Sequence, residues 1–297
     1  MAVQVAERVA GASIAVGLAV LGLKVLAWWM TGSAALYSDA LESTVNVVAS
    51  LVAFIALRVA LRPADANHTY GHDKAEFFAA VVEGGLIVVA AVSILEHAWT
   101  SWLHPAPLLQ AWRGMAVNLG ATLLNAVWAV VLLRVGRRSR SAALRADAKH
   151  LVSDVVTSVC ILAGVGAAVA TGVVALDPIV AALAAVYVAW SGLRVISSSV
   201  GGLMDTAPGD EVVGRIRQLV GTSADGALEA HDLRIRHAGR QTFMEFHLVV
   251  PGAMSVAEAH TICDRVETAL KSEMEGLTIT IHVEPEGKAK HHGVLVL

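Results

Sequence analysis

The sequence predicts an α-helical membrane protein: a six-helix transmembrane bundle followed by a small cytoplasmic α/β domain of order α-β-β-α-β. Three observations predict it. The 297 residues are 56% hydrophobic and only 16% charged, with a mean hydropathy of +0.64. A soluble domain averages about 25% charged residues, so this chain cannot cover a water-facing surface of its own size. The same numbers exclude disorder. The apolar residues are also concentrated: 9–203 is a series of long apolar runs, whereas the chain after Met204 reads as a soluble sequence. Finally, six runs (9–31, 33–60, 76–103, 112–135, 147–172 and 176–203) each reach the ~20 residues that a helix needs to cross the hydrocarbon layer. The expected division is 1–205 for the bundle and 206–297 for the tail domain.

The first run is too long for a cleavable signal, and Lys24 interrupts it where such a segment is uniformly apolar. Gly11, Gly17 and Gly22 within it are read as marks of close helix packing. Trp28 and Trp29 are read as an interfacial belt. From the end of run two to the start of run three lie Arg58, Arg62 and Lys74, and from the end of run four to the start of run five lie Arg134, Arg137, Arg138, Arg140 and Arg145. The opposite loops carry little beyond Arg113. Basic loops stay in the cytoplasm, so both termini are expected there, in an inner (plasma) membrane protein.

In the tail, the stretch after Pro208 has an acidic start and apolar residues at helical spacing as far as Gly221. The segments HDLRIRHA and TFMEFHLVVP alternate around a turn containing Gly239, a hairpin pattern. Ser255 followed by Glu258 is a capping box that opens a second amphipathic helix. LTITIHVEP is the last strand, giving two helices on a three-stranded sheet. The closing GKAKHHGVLVL shows no pattern.

The net charge of −3 leaves no basic footprint for nucleic acid. Two distant cysteines, Cys160 and Cys263, support neither a disulfide framework nor a cysteine zinc site. Histidine is the unusual count, at twelve against three tyrosines and five phenylalanines.

The polar residues inside the apolar runs are the informative ones, because a carboxylate at bilayer depth costs at least a few kcal/mol. Asp39, Glu42 and Asn46 share one helical face of the second run. His150 and Asp154 are four residues apart in the fifth. If the two helices face each other, Glu42, Asn46, His150 and Asp154 offer one nitrogen and several oxygens, a set suited to a transition-metal dication. With His150 neutral the four carry −2 and balance M²⁺. Asp39, one turn nearer the membrane edge, is read as part of a wet access route. Asn118 and Asn125 in the fourth run are read as a helix-contact stripe.

Outside the membrane, Asp65, His68 and His72 lie within eight residues of one loop, a spacing that fits a surface zinc site. In the tail, His231, His247, His260, His282 and Glu284 stand on separate elements that must pack together. His282 and Glu284 share a strand face. His237, His291 and His292 fit no constellation and are read as solvated.

These residues bring a family into view. The chain resembles the cation diffusion facilitator family of divalent-metal transporters over about 9–286. The resemblance rests on WWMTGSAALYSDALESTVNVVASL in the second run, ADANHTYGHDKAE in the loop, RADAKHLVSDV in the fifth run and HDLRIR, FHLVV, AHTICDRVE and IHVEP in the tail, in that order. It implies a homodimer in membrane lipid, each subunit exporting a divalent metal ion from the cytoplasm in exchange for protons. Carried across, the transport site is Glu42, Asn46, His150 and Asp154, with His150, Asp154 and Glu42 coupling to protons. The loop site is Asp65, His68 and His72. The tail site is His231, His247, His260, His282 and Glu284, near the dimer interface. An ion pair between Lys74 and Asp205 is implied to link bundle and tail.

One position departs from the pattern. Zinc and iron members of the family usually carry Asp–Asp or His–Asp where this chain has Glu42 and Asn46. The tetrad loses a negative charge and a titratable proton, and its hard amide oxygen leans from zinc towards iron, manganese or cobalt. The expected cargo is Zn²⁺ or Fe²⁺, with Mn²⁺ or Co²⁺ as the alternative, and no organic cofactor. His150 is the one member whose ordinary pKa lies near cytoplasmic pH, so protons and metal compete for it. An enzyme is not expected: a membrane metalloenzyme needs more His-x-His pairs than His68 and His72 supply. A non-transporting sensor has no use for ligands at bilayer depth.

Overall fold

The computed structural model describes residues 2–105, 107–138, 142–239, 241–274, 276–290 and 293–295. Six long helices come first: α1 (Ala2–Thr31), α2 (Ala34–Ala60), α3 (Ala75–Leu103), α4 (Ala111–Arg138), α5 (Ala142–Thr171) and α6 (Leu176–Leu203). Each holds a stretch long and apolar enough to cross a membrane, the shortest being Ala12–Thr31. Then follow α7 (Asp210–Ser223), β1 (Glu229–Ala238), β2 (Gln241–Val250), α8 (Val256–Glu273), β3 (Leu277–Pro285), a single 3-10 turn (Glu286–Lys288) and β4 (Val294–Leu295). The chain divides into two compact units: Met1–Phe54 with Val81–Ile196, and Ile55–Ala80 with Ser197–Leu297.

The first unit is held by small residues. Ala27, Ala34, Ala35, Ala98, Ala181 and Ala185 are buried together with Leu36, Ile94, Ile161 and Val165. Helices surrounded by lipid gain nothing from burying apolar surface against each other, so close backbone approach and dense packing hold them. α3 and α6 approach backbone to backbone: a Cβ at Gly84 would stand 2.9 Å from the Gly192 carbonyl, and one at Gly192 would stand 3.0 Å from the Gly84 carbonyl. Gly17 and Gly22 of the first span do not play this part. Gly17 meets only Val47, at an ordinary 3.9 Å, and Gly22 faces open space. The surroundings of Gly11, and Arg140, lie outside the described residues. Lys24 of α1 is fully buried in this unit.

The second unit contains a sheet of order β3-β2-β1-β4. β1 and β2 form the expected antiparallel hairpin, and β3 runs parallel to β2. The closing segment, in which no pattern is visible, adds a fourth strand: Val294 pairs with Ala230 and Leu295 with Glu229. Two residues are too few for a period-2 alternation to register. Ile216 and Val220 of α7 and Ile262, Val266 and Leu270 of α8 pack on Met244, Phe246 and Leu248 of β2. The capping box closes as expected: Glu258 N–H donates to Ser255 Oγ at 3.2 Å, and Ser255 N–H to Glu258 Oε2 at 2.8 Å. β1 carries a bulge between His231 and Arg234, with Asp232 at φ 53°.

Candidate metal centres

In the first unit, α2 and α5 bring together the four residues expected of an intramembrane site. Asn46 Nδ2 donates to Asp154 Oδ2 at 2.9 Å. His150 Nε2 lies 4.0 Å from the same oxygen. Glu42, Asn46, His150 and Asp154 line one cavity, with Ile87 of α3 and Tyr187 and Ser191 of α6 opposite. Asp154 is buried while the His150 ring is half exposed. The cavity thus presents an imidazole, two carboxyl groups and an amide from two helices, with room between them.

Asp39 is placed otherwise than expected. It is fully buried, not part of a wet access route. Its Oδ1 accepts from Lys24 Nζ at 2.7 Å and from Ser158 Oγ at 2.8 Å, and its Oδ2 accepts from Asn118 Nδ2 at 2.7 Å. The reason is the lysine: a buried ammonium fifteen residues away on α1 neutralises a carboxylate that would otherwise seek water. Asn118 is a helix contact, as its stripe position suggests, but its partner is charged.

In the second unit, the loop residues Asp65, His68 and His72 offer ligand atoms within 4.8 Å of one another. Asp65 Oδ1 lies 3.4 Å from His68 Nδ1 and Oδ2 lies 3.4 Å from His72 Nε2. The loop shapes this itself, because Asp65 Oδ1 also accepts the backbone N–H of Asn67 and His68, each at 2.8 Å, an Asx turn. The His68 N–H bond, followed by that of Asn67, holds the Asp65 carboxyl below its usual range. His72 Nδ1 is buried without a hydrogen bond.

The tail cluster follows from strand register. His231 of β1 pairs with His247 of β2, which pairs with His282 of β3. Three histidines therefore form one row across three strands, with ring centroids 5.3 and 4.9 Å apart. Glu284, two residues along β3 on the same face, lies 3.3 Å from His231 Nε2, 3.3 Å from His247 Nδ1 and 3.7 Å from His282 Nε2. Both ring nitrogens of His231 and Nδ1 of His247 are buried without a hydrogen bond, an arrangement that suits lone pairs kept for a cation.

Three residues differ from expectation here. Asp232, which was not anticipated, joins His231 and His247 within 4.8 Å. Strand alternation would turn it to the other face, and the bulge turns it back. His260 stands apart on the exposed side of α8, 3.7 Å from Asp264. His237 is half-buried and bonded to Thr242 Oγ1 at 2.9 Å rather than solvated. His291 and His292 lie outside the described residues.

Lys74 Nζ lies 2.9 Å from Asp205 Oδ1, and Arg236 Nη1 lies 3.2 Å from the same oxygen. The Lys74 hydrogen bond comes first among the causes that hold the Asp205 carboxyl below its usual range, ahead of the Arg236 charge. Beside this triad the Arg236 guanidinium packs 4.4 Å from the Phe243 ring, and Phe243 meets Tyr70 edge-on.

The family model for the cation efflux transmembrane domain matches residues 11–204, and that for the cation efflux protein cytoplasmic domain matches residues 208–286. This chain belongs to the cation diffusion facilitator family. Its members are transporters, not enzymes, and this cation efflux protein is a multi-pass membrane protein. It is 40% identical over 285 residues to an uncharacterised transporter of Synechocystis, covering 96% of this chain and 92% of that one. It is 33% identical over 279 residues to the cation-efflux pump FieF of Shigella boydii, covering 94% and 92%. Among solved structures, the Zn form of the transporter CzrB is 50% identical over 29% of this chain and 98% of that one, with a TM-score of 0.28. The metal-bound C-terminal domain of the CzcD transporter from Thermotoga maritima is 27% identical over 28% and 100%, with a TM-score of 0.26.

Proposed function

We propose that this cation efflux protein exports a divalent transition metal, Zn²⁺ or Fe²⁺, from the cytoplasm in exchange for protons, by alternating access around Glu42, Asn46, His150 and Asp154. The observation that carries the reading is the meeting of α2 and α5 at one cavity, where Asn46 and Asp154 are in hydrogen-bond contact beside His150. An imidazole nitrogen, two carboxylates and an amide oxygen suit a borderline dication. Two negative charges neutralise it. The imidazole binds either a proton or the metal, so inward loading releases protons and outward protonation expels the cation. Asn46 contributes a neutral hard oxygen, which favours Mn²⁺ or Co²⁺ as the second reading of the cargo.

On this reading 1–205 is the transport domain and 206–297 the regulatory domain. Both termini face the cytoplasm in an inner membrane, and the protein works as a homodimer. The tail matches a domain family named for dimerisation. Metal held by His231, His247, His282 and Glu284 stabilises one arrangement of the tail and so shifts the population of transport states. The loop residues Asp65, His68 and His72 hold a surface metal, and Lys74 with Asp205 braces bundle to tail. The deciding experiment is a competition series of Zn²⁺, Fe²⁺, Mn²⁺, Co²⁺ and Cd²⁺ in proteoliposomes holding a pH dye. Metal uptake with counterflow of protons is expected, and metal flux with no proton movement overturns the exchange mechanism.

A further inference from the structure

One buried group of charges in the first unit has no part in the transport site itself. Lys24 of α1, Asp39 of α2, Asn118 of α4 and Ser158 of α5 are each at most 1% exposed. Asp39 ties all four helices together through its two oxygens, and Lys24 Nζ also donates to Ser158 Oγ at 3.0 Å. A buried ion pair is a poor source of stability, because desolvating two charges offsets most of their attraction and an apolar pair packs as well. Two charges kept at bilayer depth call for a functional reason.

Their position supplies one. Asp39 stands three residues from Glu42 on α2, and Ser158 stands four from Asp154 on α5, so the pair sits about one helical turn, ~5.4 Å, from the site on both of its helices. The Asp39–Ser158 bond pins α2 to α5 at that level. The Lys24 ammonium cancels the Asp39 charge, which would otherwise add to those of Glu42 and Asp154 through a medium that screens poorly.

We propose that Lys24 and Asp39 are positioning residues of the transport site: they pin α2 to α5 one turn from the ligands and confine the negative charge met by the cation to Glu42 and Asp154. The proposal rests on the transport-site reading above.

The test uses full-length protein in proteoliposomes, with Zn²⁺ as the probe and KM and kcat read separately. Lys24→Gln keeps a donor and leaves Asp39 as a lone carboxylate, so KM falls about tenfold. Asp39→Asn keeps an acceptor and leaves a lone ammonium, so KM rises about tenfold. In both variants kcat drops, because the pin is weakened. The double variant K24Q/D39N brings KM back to within about threefold of the parent while kcat stays low. A purely structural pair would move KM in one direction in both single variants. Shifts of the same sign, or none, overturn the proposal. If a single variant does not turn over, Co²⁺ titration followed by visible absorption, in a full-length H72A/E284Q background with the loop and tail sites weakened, reads the same opposed shifts in affinity. Asp154→Ala, run alongside, separates the two ideas: full transport by that variant removes the transport site itself.

Discussion

Asn46 and Asp154, 108 residues apart, are joined by a 2.9 Å hydrogen bond between α2 and α5. The amide gives its hydrogen to the carboxylate and keeps a carbonyl oxygen for a cation. Asn46→Asp removes that donor and sets a third carboxyl group in the cavity. The expected outcome is a preference shifted towards Zn²⁺ over Mn²⁺ by about tenfold, equivalent to 1.4 kcal/mol, read from competition in proteoliposomes. An unchanged order of metals would remove ligand charge as the basis of selectivity.

His150→Ala and Asp154→Ala should each abolish metal-driven proton flux while leaving a folded protein. His150 is half exposed and lies at the edge of the cavity, so its truncation leaves no large void. Asp154→Ala gives up the Asn46 hydrogen bond and the 4.0 Å contact with His150, and an amide facing the cavity can turn to another partner. Gel filtration and a melting curve check the fold, and a pH dye checks the flux. Wild-type flux in either variant would sink the site.

The helices and the side chains that meet at the α2–α5 cavity were legible because they depend on local pattern: apolar length for the spans, the 3.6-residue period for Glu42 and Asn46, and the Ser255–Glu258 spacing for the cap of α8. What was hidden depends on partners far apart in the chain. Asp39 reads as a wet residue until Lys24, from another helix, is seen beside it. Asp232 reads as facing away from His231 until the bulge and its φ of 53° turn it back. The His231–His247–His282 row requires strand register, and alternation alone does not fix which residues of two strands stand opposite.

Asp177, in the first turn of α6, caps α2. It accepts the backbone N–H of Ala34 at 2.7 Å and of Ala35 at 3.4 Å, and it also accepts from the Ser33 hydroxyl. The site is buried, so no water replaces a lost acceptor. Asp177→Ala should cost about 2 kcal/mol, seen as a lower melting temperature in detergent. Asp177→Asn, which still accepts, should fall between. Equal melting of all three would show that the cap is dispensable.

Glu284 is the hub of the tail cluster, within 3.3 to 3.7 Å of His231, His247 and His282. Glu284→Gln keeps the shape and removes the charge that makes three imidazoles attractive to a cation. The tightly bound zinc per chain, counted after gel filtration, should drop, with affinity at the tail lowered at least about tenfold. Asp154→Ala should leave the tail-bound zinc in place. Retention of all zinc by E284Q would place tail binding elsewhere.

Asp205 shows how the Lys74 contact should depend on pH. Its carboxyl is held below the usual range, chiefly by the hydrogen bond from Lys74 and then by the Arg236 charge. A carboxylate whose folded pKa is depressed adds stability that is complete above its unfolded value and is lost as pH falls through the folded one. The contribution is therefore whole at pH 7 and disappears in the acid range below about 4. The side chains are 35% and 42% exposed, so solvent screening limits the pair to about 1 kcal/mol at most. Asp205 also sits at φ 59°, a conformation that asparagine adopts as readily as aspartate, so Asp205→Asn isolates the charge from the backbone. The variant should melt slightly lower than the parent at pH 7 and at low salt, and the gap should close as the pH is lowered towards 3 or the salt is raised. A gap that stays constant across pH would show that Asp205 acts through its shape and not through its charge.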